Sequence, residues 1–198
     1  MFLSNTAHAA VILVWGDSLS AGYGVQPGQE WPALLQKKLD SNQFPYQVVN
    51  LSLSGETSTG GRTRLPEAIT QHKPAIVIVA LGANDALRGQ KLSNLADNIK
   101  NMIETARAGN AEILLAGMQI PPNYGHAYTE RFSRTFSKLA QSENVALVPF
   151  LLEGFAEKSE YFQQDGIHPT AQAQPLILQN IWRILEPMLE QNPELPSP

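Results

Sequence analysis

Three observations predict an α/β fold in which a five-stranded parallel sheet carries helices on both sides. Five short apolar runs recur along the chain, and they do not alternate with polar positions, as strands buried on both faces do not. The segments between them repeat apolar residues every three to four positions, the spacing of one helix face. Strand-like and helix-like segments alternate, which is the order that a parallel sheet with helical crossovers requires.

The elements follow in chain order. Val11 to Trp15 is the first run, closed by Gly16. Pro32 opens a helix through Leu39, because its missing N–H would be unpaired there in any case. Tyr46 to Leu51 contains β-formers and runs into a Ser/Gly-rich loop, and Ala75 to Leu81 is seven apolar residues ending at Gly82. Leu92, Leu95, Ala96, Ile99, Met102, Ile103 and Ala106 form one helical stripe. Ile113 to Met118 is the fourth strand and Val145 to Phe150 the fifth, with a stripe of Tyr128, Phe132, Phe136, Leu139 and Ala140 between them. Ile177, Ile181, Ile184, Leu185, Met188 and Leu189 form the last helix. One domain is expected over residues 10–190, with no repeat and no linker. The proline-containing tail, 191–198, is expected to fray.

Composition excludes several classes of function. The 198 residues carry 43% hydrophobic and 16% charged side chains, a globular balance. A net charge of −4 speaks against a nucleic-acid partner, which calls for a basic surface. Acidic residues concentrate beyond position 150, the mark of a solvated acidic surface. There is no cysteine, so disulfides, thiol catalysis and cysteine-ligated metals are excluded, while the redox compartment stays open. No apolar run is long enough to cross a membrane. Ala7-His8-Ala9 has the small-x-small form of a signal-peptidase site, so residues 1–9 are read as a signal-peptide remnant or a disordered leader.

In open parallel sheets, sites lie at the carboxyl ends of the strands. Three segments follow strands directly. In Gly16-Asp17-Ser18-Leu19, Ser18 stands at a strand-to-helix turn and projects from the sheet edge, although a serine there alone reads as a helix N-cap. In Ser54-Gly55-Glu56-Thr57, Gly55 allows close backbone approach, so its N–H can face a developing oxyanion; alone it reads as a turn glycine. In Gly82-Ala83-Asn84-Asp85, Asn84 offers a neutral N–H donor or forms an Asx turn. A fourth segment, Asp165-Gly166-Ile167-His168-Pro169, precedes the last helix. Its three-residue spacing lets a carboxylate reach one imidazole nitrogen and leaves the other free as a base. Together the segments supply each role of acyl transfer once: nucleophile, base, orienting acid and oxyanion donors.

These four blocks, in this order, resemble those of the SGNH, or GDSL, hydrolases, and the resemblance runs from about Val11 to Leu189. The stretches Gly16 to Tyr23, Trp31 to Leu35, Pro121 to Gly125 and Asp165 to Pro169 look like the bacterial periplasmic thioesterase, lysophospholipase and arylesterase subgroup. The resemblance implies a three-layer α/β/α, flavodoxin-like fold. It implies Ser18 as nucleophile, His168 as general base and then acid, and Asp165 as its orienting partner. The Ser18 and Gly55 N–H groups and the Asn84 side chain would form the oxyanion hole. It further implies a small-molecule ester or thioester substrate, export to the periplasm, and no metal or other cofactor. Asp17 and Asp85 are expected to brace loops.

Residues 86–92 stand where relatives have a mobile loop lining the acyl groove, which makes Arg88 a substrate-binding candidate. Pro121 and Tyr124 are candidates for an apolar acyl site beyond the fourth strand. Met118 and Ile120 are read either as part of that site or as core. The default expectation is a monomer without stable membrane insertion. Three rival readings remain at this point. A metallophosphoesterase would use Asp17 and Asp85 as oxygen ligands, but His8, His72 and His126 lie outside the four segments. A flavodoxin-like binding module would share the fold without the chemistry. A carbohydrate-deacetylating esterase would share the triad.

Overall fold

The computed structural model describes residues 9–191. The expected leader, with Ala7 and His8, and the tail from 192 onward lie outside the described residues.

Five strands form one parallel sheet: β1 (Ala10–Gly16), β2 (Tyr46–Asn50), β3 (Ile76–Ala80), β4 (Glu112–Ala116) and β5 (Ala146–Val148), in the order β2-β1-β3-β4-β5. Each of the five predicted runs overlaps one of these strands. The register pairs Ile12 with both Val48 and Ile76, and Val77 with Ile113. The last two strands end before their apolar runs do. Beyond β4, Gly117 donates to Val148 O at 2.8 Å, and its own carbonyl accepts from Leu151 N at 2.8 Å. A Cβ on Gly117 would stand 2.3 Å from Pro149 O, so the two chains leave the sheet in close contact there. Pro149 has no N–H with which to prolong the ladder.

Helices cover both faces. α2 (Trp31–Ser41) packs against α7 (Gln174–Glu190). On the other side α3 (Ser58–His72), α5 (Leu92–Ala108) and α6 (His126–Glu143) pack in series. Two short helices, α1 (Ser18–Ala21) and α4 (Ala83–Leu87), follow β1 and β3 directly. The predicted stripes face inward: Leu95, Ile99, Met102, Ile103 and Ala106 of α5 are buried, as are Phe132, Phe136, Leu139 and Ala140 of α6. Every residue of β3 is fully buried, as expected of a strand sandwiched between two helical layers.

The apolar spacing predicts no helix over α3, and the reason is visible in its residues. Gly60, Gly61 and Pro66 weaken the helical pattern, and Ser58 and Gly61 are buried where apolar residues would be expected. Tertiary contacts demand the small side chain. A Cβ on Gly61 would lie 2.4 Å from Leu81 Cδ1, and the Gly61 carbonyl accepts from Trp15 Nε1 at 3.2 Å. The Arg64 guanidinium lies over the same indole, 4.2 Å from its centre.

Met118 and Ile120 belong to the buried core, at 2% and 7% exposure. The structure thus places both on the core side of the alternative left open by the sequence, drawn inward where the chain beyond β4 is bonded to that beyond β5. Pro121 and Tyr124 remain exposed.

The core sets the stability of this frame. Replacing Ile78, at the centre of β3, by Ala is expected to cost about 2–5 kcal/mol, from lost burial plus the cavity left behind. Urea denaturation of the two proteins measures it.

Candidate active site

β1 ends at Gly16, where space is short: a Cβ would meet Ser20 Oγ at 2.6 Å and Ala80 O at 3.1 Å. Asp17 then caps α1, its carboxylate accepting from Leu19 N at 3.0 Å. This turn presents Ser18 at the first position of α1. Gly22, at φ 74°, ends the helix in the left-handed conformation that glycine adopts without strain.

The segment before α7 is a compact hairpin. Phe162 pairs with Pro169 in an antiparallel bridge, and Gln163 N donates to His168 O at 2.8 Å. Inside it, Asp165 Oδ1 accepts from Ile167 N at 2.9 Å and from His168 N at 3.0 Å. Its Oδ2 lies 2.7 Å from His168 Nδ1. One carboxylate therefore shapes the turn and holds the imidazole. Those backbone N–H groups and the ring hold the Asp165 carboxyl down at about 2, the His168 N–H contributing most. With Nδ1–H donating to Asp165, Nε2 is left as the acceptor facing Ser18 Oγ at 3.0 Å. Ser18 and His168 are 150 positions apart in the chain. Gln174 closes part of that distance: it is buried at the start of α7, and its Oε1 accepts from Trp31 N at the start of α2, at 3.0 Å.

Three residues to which the motifs give no role surround the imidazole. The Tyr23 ring lies 4.4 Å from the His168 ring, centre to centre, at a tilt of 38°. Gln163 Nε2 donates to Tyr23 O at 2.7 Å and to Pro169 O at 3.2 Å. Gly24 leaves room for that amide, since a Cβ there would overlap it. A lone glutamine in a loop carries no motif; the glycine two residues after Gly22 was the available signal.

On the other side of Ser18, Gly55 takes φ 78°. Its loop is tied to β1 by Leu53 N donating to Gly16 O at 3.0 Å. Among the described residues, neither the Ser18 N–H nor the Gly55 N–H donates to a protein acceptor. Asn84 Nδ2 donates to Glu56 O at 3.0 Å and to Asp17 Oδ2 at 3.3 Å, so it bridges the loops after β1 and β2. Arg88 Nη2 donates to Gly55 O at 3.0 Å. Asp85 is buried and accepts from Ser58 N at 2.8 Å and Ser58 Oγ at 2.5 Å; Asn98 Nδ2 donates to the same hydroxyl at 2.9 Å. That network fixes the start of α3 against α4. Asp17 and Asp85 thus both brace loops. Among the described residues, no group of three or more His, Asp or Glu side chains is placed to hold a metal ion.

A serine, a histidine and a carboxylate in consecutive hydrogen-bonding contact at the carboxyl edge of a parallel α/β sheet are the arrangement found in the serine-hydrolase class of site. The chain belongs to the GDSL-like lipase/acylhydrolase family, whose model matches residues 14–175. It is 48% identical over 189 residues to esterase TesA of Pseudomonas aeruginosa, covering 96% of this chain and 94% of that one. It is 42% identical over 185 residues to thioesterase 1/protease 1/lysophospholipase L1 of Escherichia coli K12, covering 93% and 88%. It is 40% identical over 166 residues to an arylesterase of Vibrio mimicus, covering 84% and 83%. Among solved structures, that of TesA matches with a TM-score of 0.88, at 48% identity, over 90% of this chain and 99% of that one. The psychrotrophic esterase EstA from Pseudoalteromonas sp., inhibited by monoethylphosphonate, matches with a TM-score of 0.86 at 38% identity, over 90% and 98%.

Asp17 gives a pH signature. Burial pushes its carboxyl up from 3.8 to about 7, against the pull of Leu19 N–H and of His168. The raised value means the fold prefers the protonated form. Ionisation of Asp17 therefore subtracts from stability progressively as pH rises from about 4 through about 7. Asp17→Asn removes that ionisation and keeps the acceptor for Leu19 N. The Tm of the variant relative to the wild type is expected to be more favourable at pH 8 than at pH 5, as read by thermal denaturation at both.

Proposed function

We propose that this protein is a serine hydrolase that cleaves carboxylic esters and thioesters through an acyl-enzyme intermediate. The observation that carries the reading is the continuous contact from Ser18 Oγ through His168 to Asp165, at 3.0 and 2.7 Å. Ser18 Oγ attacks the acyl carbonyl while His168 Nε2 takes its proton. Asp165 stays ionised, keeps the ring in the required tautomer and stabilises the imidazolium. Negative charge on the former carbonyl oxygen is received by the Ser18 and Gly55 N–H groups and by Asn84 Nδ2. His168 then gives its proton to the leaving alcohol or thiol, and a water activated by the same base releases the acid. Among the described residues, the two backbone donors have no protein acceptor to give up, so they are preorganised for that oxygen.

Aryl esters, acyl-CoA thioesters and lysophospholipids are the proposed substrates, in keeping with relatives named esterase, thioesterase, lysophospholipase and arylesterase. Pro121 and Tyr124 are the proposed acyl-site lining, and Arg88 a substrate contact. The proposal includes export to the periplasm, supported by the Ala7-His8-Ala9 pattern, and action as a monomer. No helix among the described residues is long and apolar enough to cross a membrane.

Two variants test the mechanism. Ser18→Ala is expected to abolish labelling by a fluorophosphonate; persistent labelling removes Ser18 as the nucleophile. Asp165→Asn leaves an acceptor for the turn but disturbs the tautomer, and kcat for an aryl acetate is expected to fall about 10³- to 10⁴-fold. A wild-type rate in that variant takes Asp165 out of the mechanism.

A further inference from the structure

The carboxylates around Ser18 all have partners. Asp17 accepts from Leu19 N and Asn84, Asp85 from Ser58, and Asp165 from His168 and its own turn. Glu56 is paired with Arg64 at 2.8 Å. Arg88 is not matched in this way. Its backbone N–H donates to Asn84 O at 3.2 Å, so it stands one helical turn beyond Asn84. Its guanidinium folds back onto Gly55 O. The guanidinium lies close to this glycine, with Nη2 3.7 Å from where a Cβ on Gly55 would stand. Among the described residues the guanidinium makes this one hydrogen bond and no ion pair, although the side chain is exposed. A guanidinium has five N–H donors in a planar fork, so four remain to be used. A single positive charge is thus held in place, open and unneutralised, against the glycine of the proposed oxyanion hole.

We infer that Arg88 is an anion subsite for the phosphate of a lysophospholipid, an acyl ester whose leaving alcohol is a glycerol phosphate. The inference rests on the hydrolase reading above. Reach selects this substrate. With an oxyanion about 3 Å from Gly55 N, the guanidinium lies no more than about 10 Å from it. In a 1-acyl glycerophosphate, the phosphorus is roughly 6–8 Å from the acyl carbonyl carbon along an extended chain. In an acyl-CoA, the first phosphorus is roughly 17 Å from the thioester carbon when extended, so its long arm must fold back, at an entropic cost, to bring a phosphate within that span. Monoacylglycerols and simple aryl esters carry no anion there. The fork matches two phosphate oxygens at once, which a lysine cannot do.

The test compares three substrates of one acyl length, used below micelle formation: 1-octanoyl-glycerol 3-phosphate, 1-octanoylglycerol and octanoyl-CoA. In Arg88→Gln, the ratio of kcat/KM for the phosphate ester to that for the neutral ester is expected to fall about tenfold or more, chiefly through KM. Arg88→Lys is expected to fall between, and the ratio of octanoyl-CoA to neutral ester to stay put. A phosphate-to-neutral ratio that does not change, whether both rates drop together or neither does, makes Arg88 a brace for Gly55 and overturns the inference. Binding separates this from the hydrolase reading. By calorimetry, Ser18→Ala is expected to bind 1-octanoyl-glycerol 3-phosphate at least tenfold more tightly than Ser18→Ala/Arg88→Gln does. Equal binding overturns the subsite even if the catalytic assignment stands. Tighter binding by the single variant supports it even if turnover fails.

Discussion

All strands of this sheet run the same way, and from that the site follows. Parallel pairing forces every connection to cross over the sheet, so all carboxyl ends share one edge. The strand order β2-β1-β3 adds the rest. From β1 the chain first moves outward to β2, then returns past β1 to β3 and continues the other way. The loops after β1 and β3 therefore diverge and leave a crevice at the point of reversal. Ser18 follows the middle strand of the three, while Gly55 and Asn84 follow its two neighbours. Neighbouring strands lie about 4.8 Å apart, a spacing that donors on flanking loops can bridge to one oxygen above the centre. Only the segment that carries Asp165 and His168 must come from elsewhere. The contact between α2 and α7, with Gln174 bonded to Trp31 N, brings the end of the chain back over its start.

Several of the fold's buried polar groups gather near that edge. Asp17, Ser58, Asp85 and Asn98 are nearly inaccessible, and each has a named partner. Unpaired, such groups would cost several kcal/mol in so dry a place. Paired, they specify geometry more sharply than apolar contacts do, because a hydrogen bond tolerates little displacement. Asp85 does not touch the reacting groups, yet it joins the loop bearing Asn84 to the helix that follows Gly55. The fully buried β3 beneath supplies the rigidity on which this polar layer rests.

The strands were legible because their runs are largely apolar, rich in β-formers and free of alternation. The four chemical segments were legible because each role appears once, at a strand end or before the last helix. What stayed hidden shares a cause: it depends on neighbours remote in the chain. α3 shows little helical pattern because Gly61 answers to Leu81 and Trp15 rather than to its own helix. The clamp on His168 joins Tyr23 and Gly24 to Gln163, 140 positions away, and no spacing rule reaches that far. Met118 and Ile120 could not be divided between groove and core on composition, since the same side chains suit both. Their burial is set by how the chain leaves β4.

Asp17 shows how a bracing group sits beside chemistry without opposing it. Asn84 has two amide hydrogens, and the protein holds both: Glu56 O at 3.0 Å and Asp17 Oδ2 at 3.3 Å. An oxyanion can share this donor only where the existing bond is weak, and the longer of the two is to Asp17. A fully ionised carboxylate at that distance would hold the donor firmly and repel the developing negative charge. Burial shifts the balance. With its carboxyl pushed up to about 7, Asp17 is protonated in a substantial fraction of molecules near neutral pH. The neutral acid still accepts from Leu19 N and keeps the turn that presents Ser18, but it adds no full charge next to the proposed hole. Taking this carboxylate out of water lowers the stability of the fold at high pH, and the same desolvation reduces its repulsion of the oxygen that Asn84 is proposed to receive.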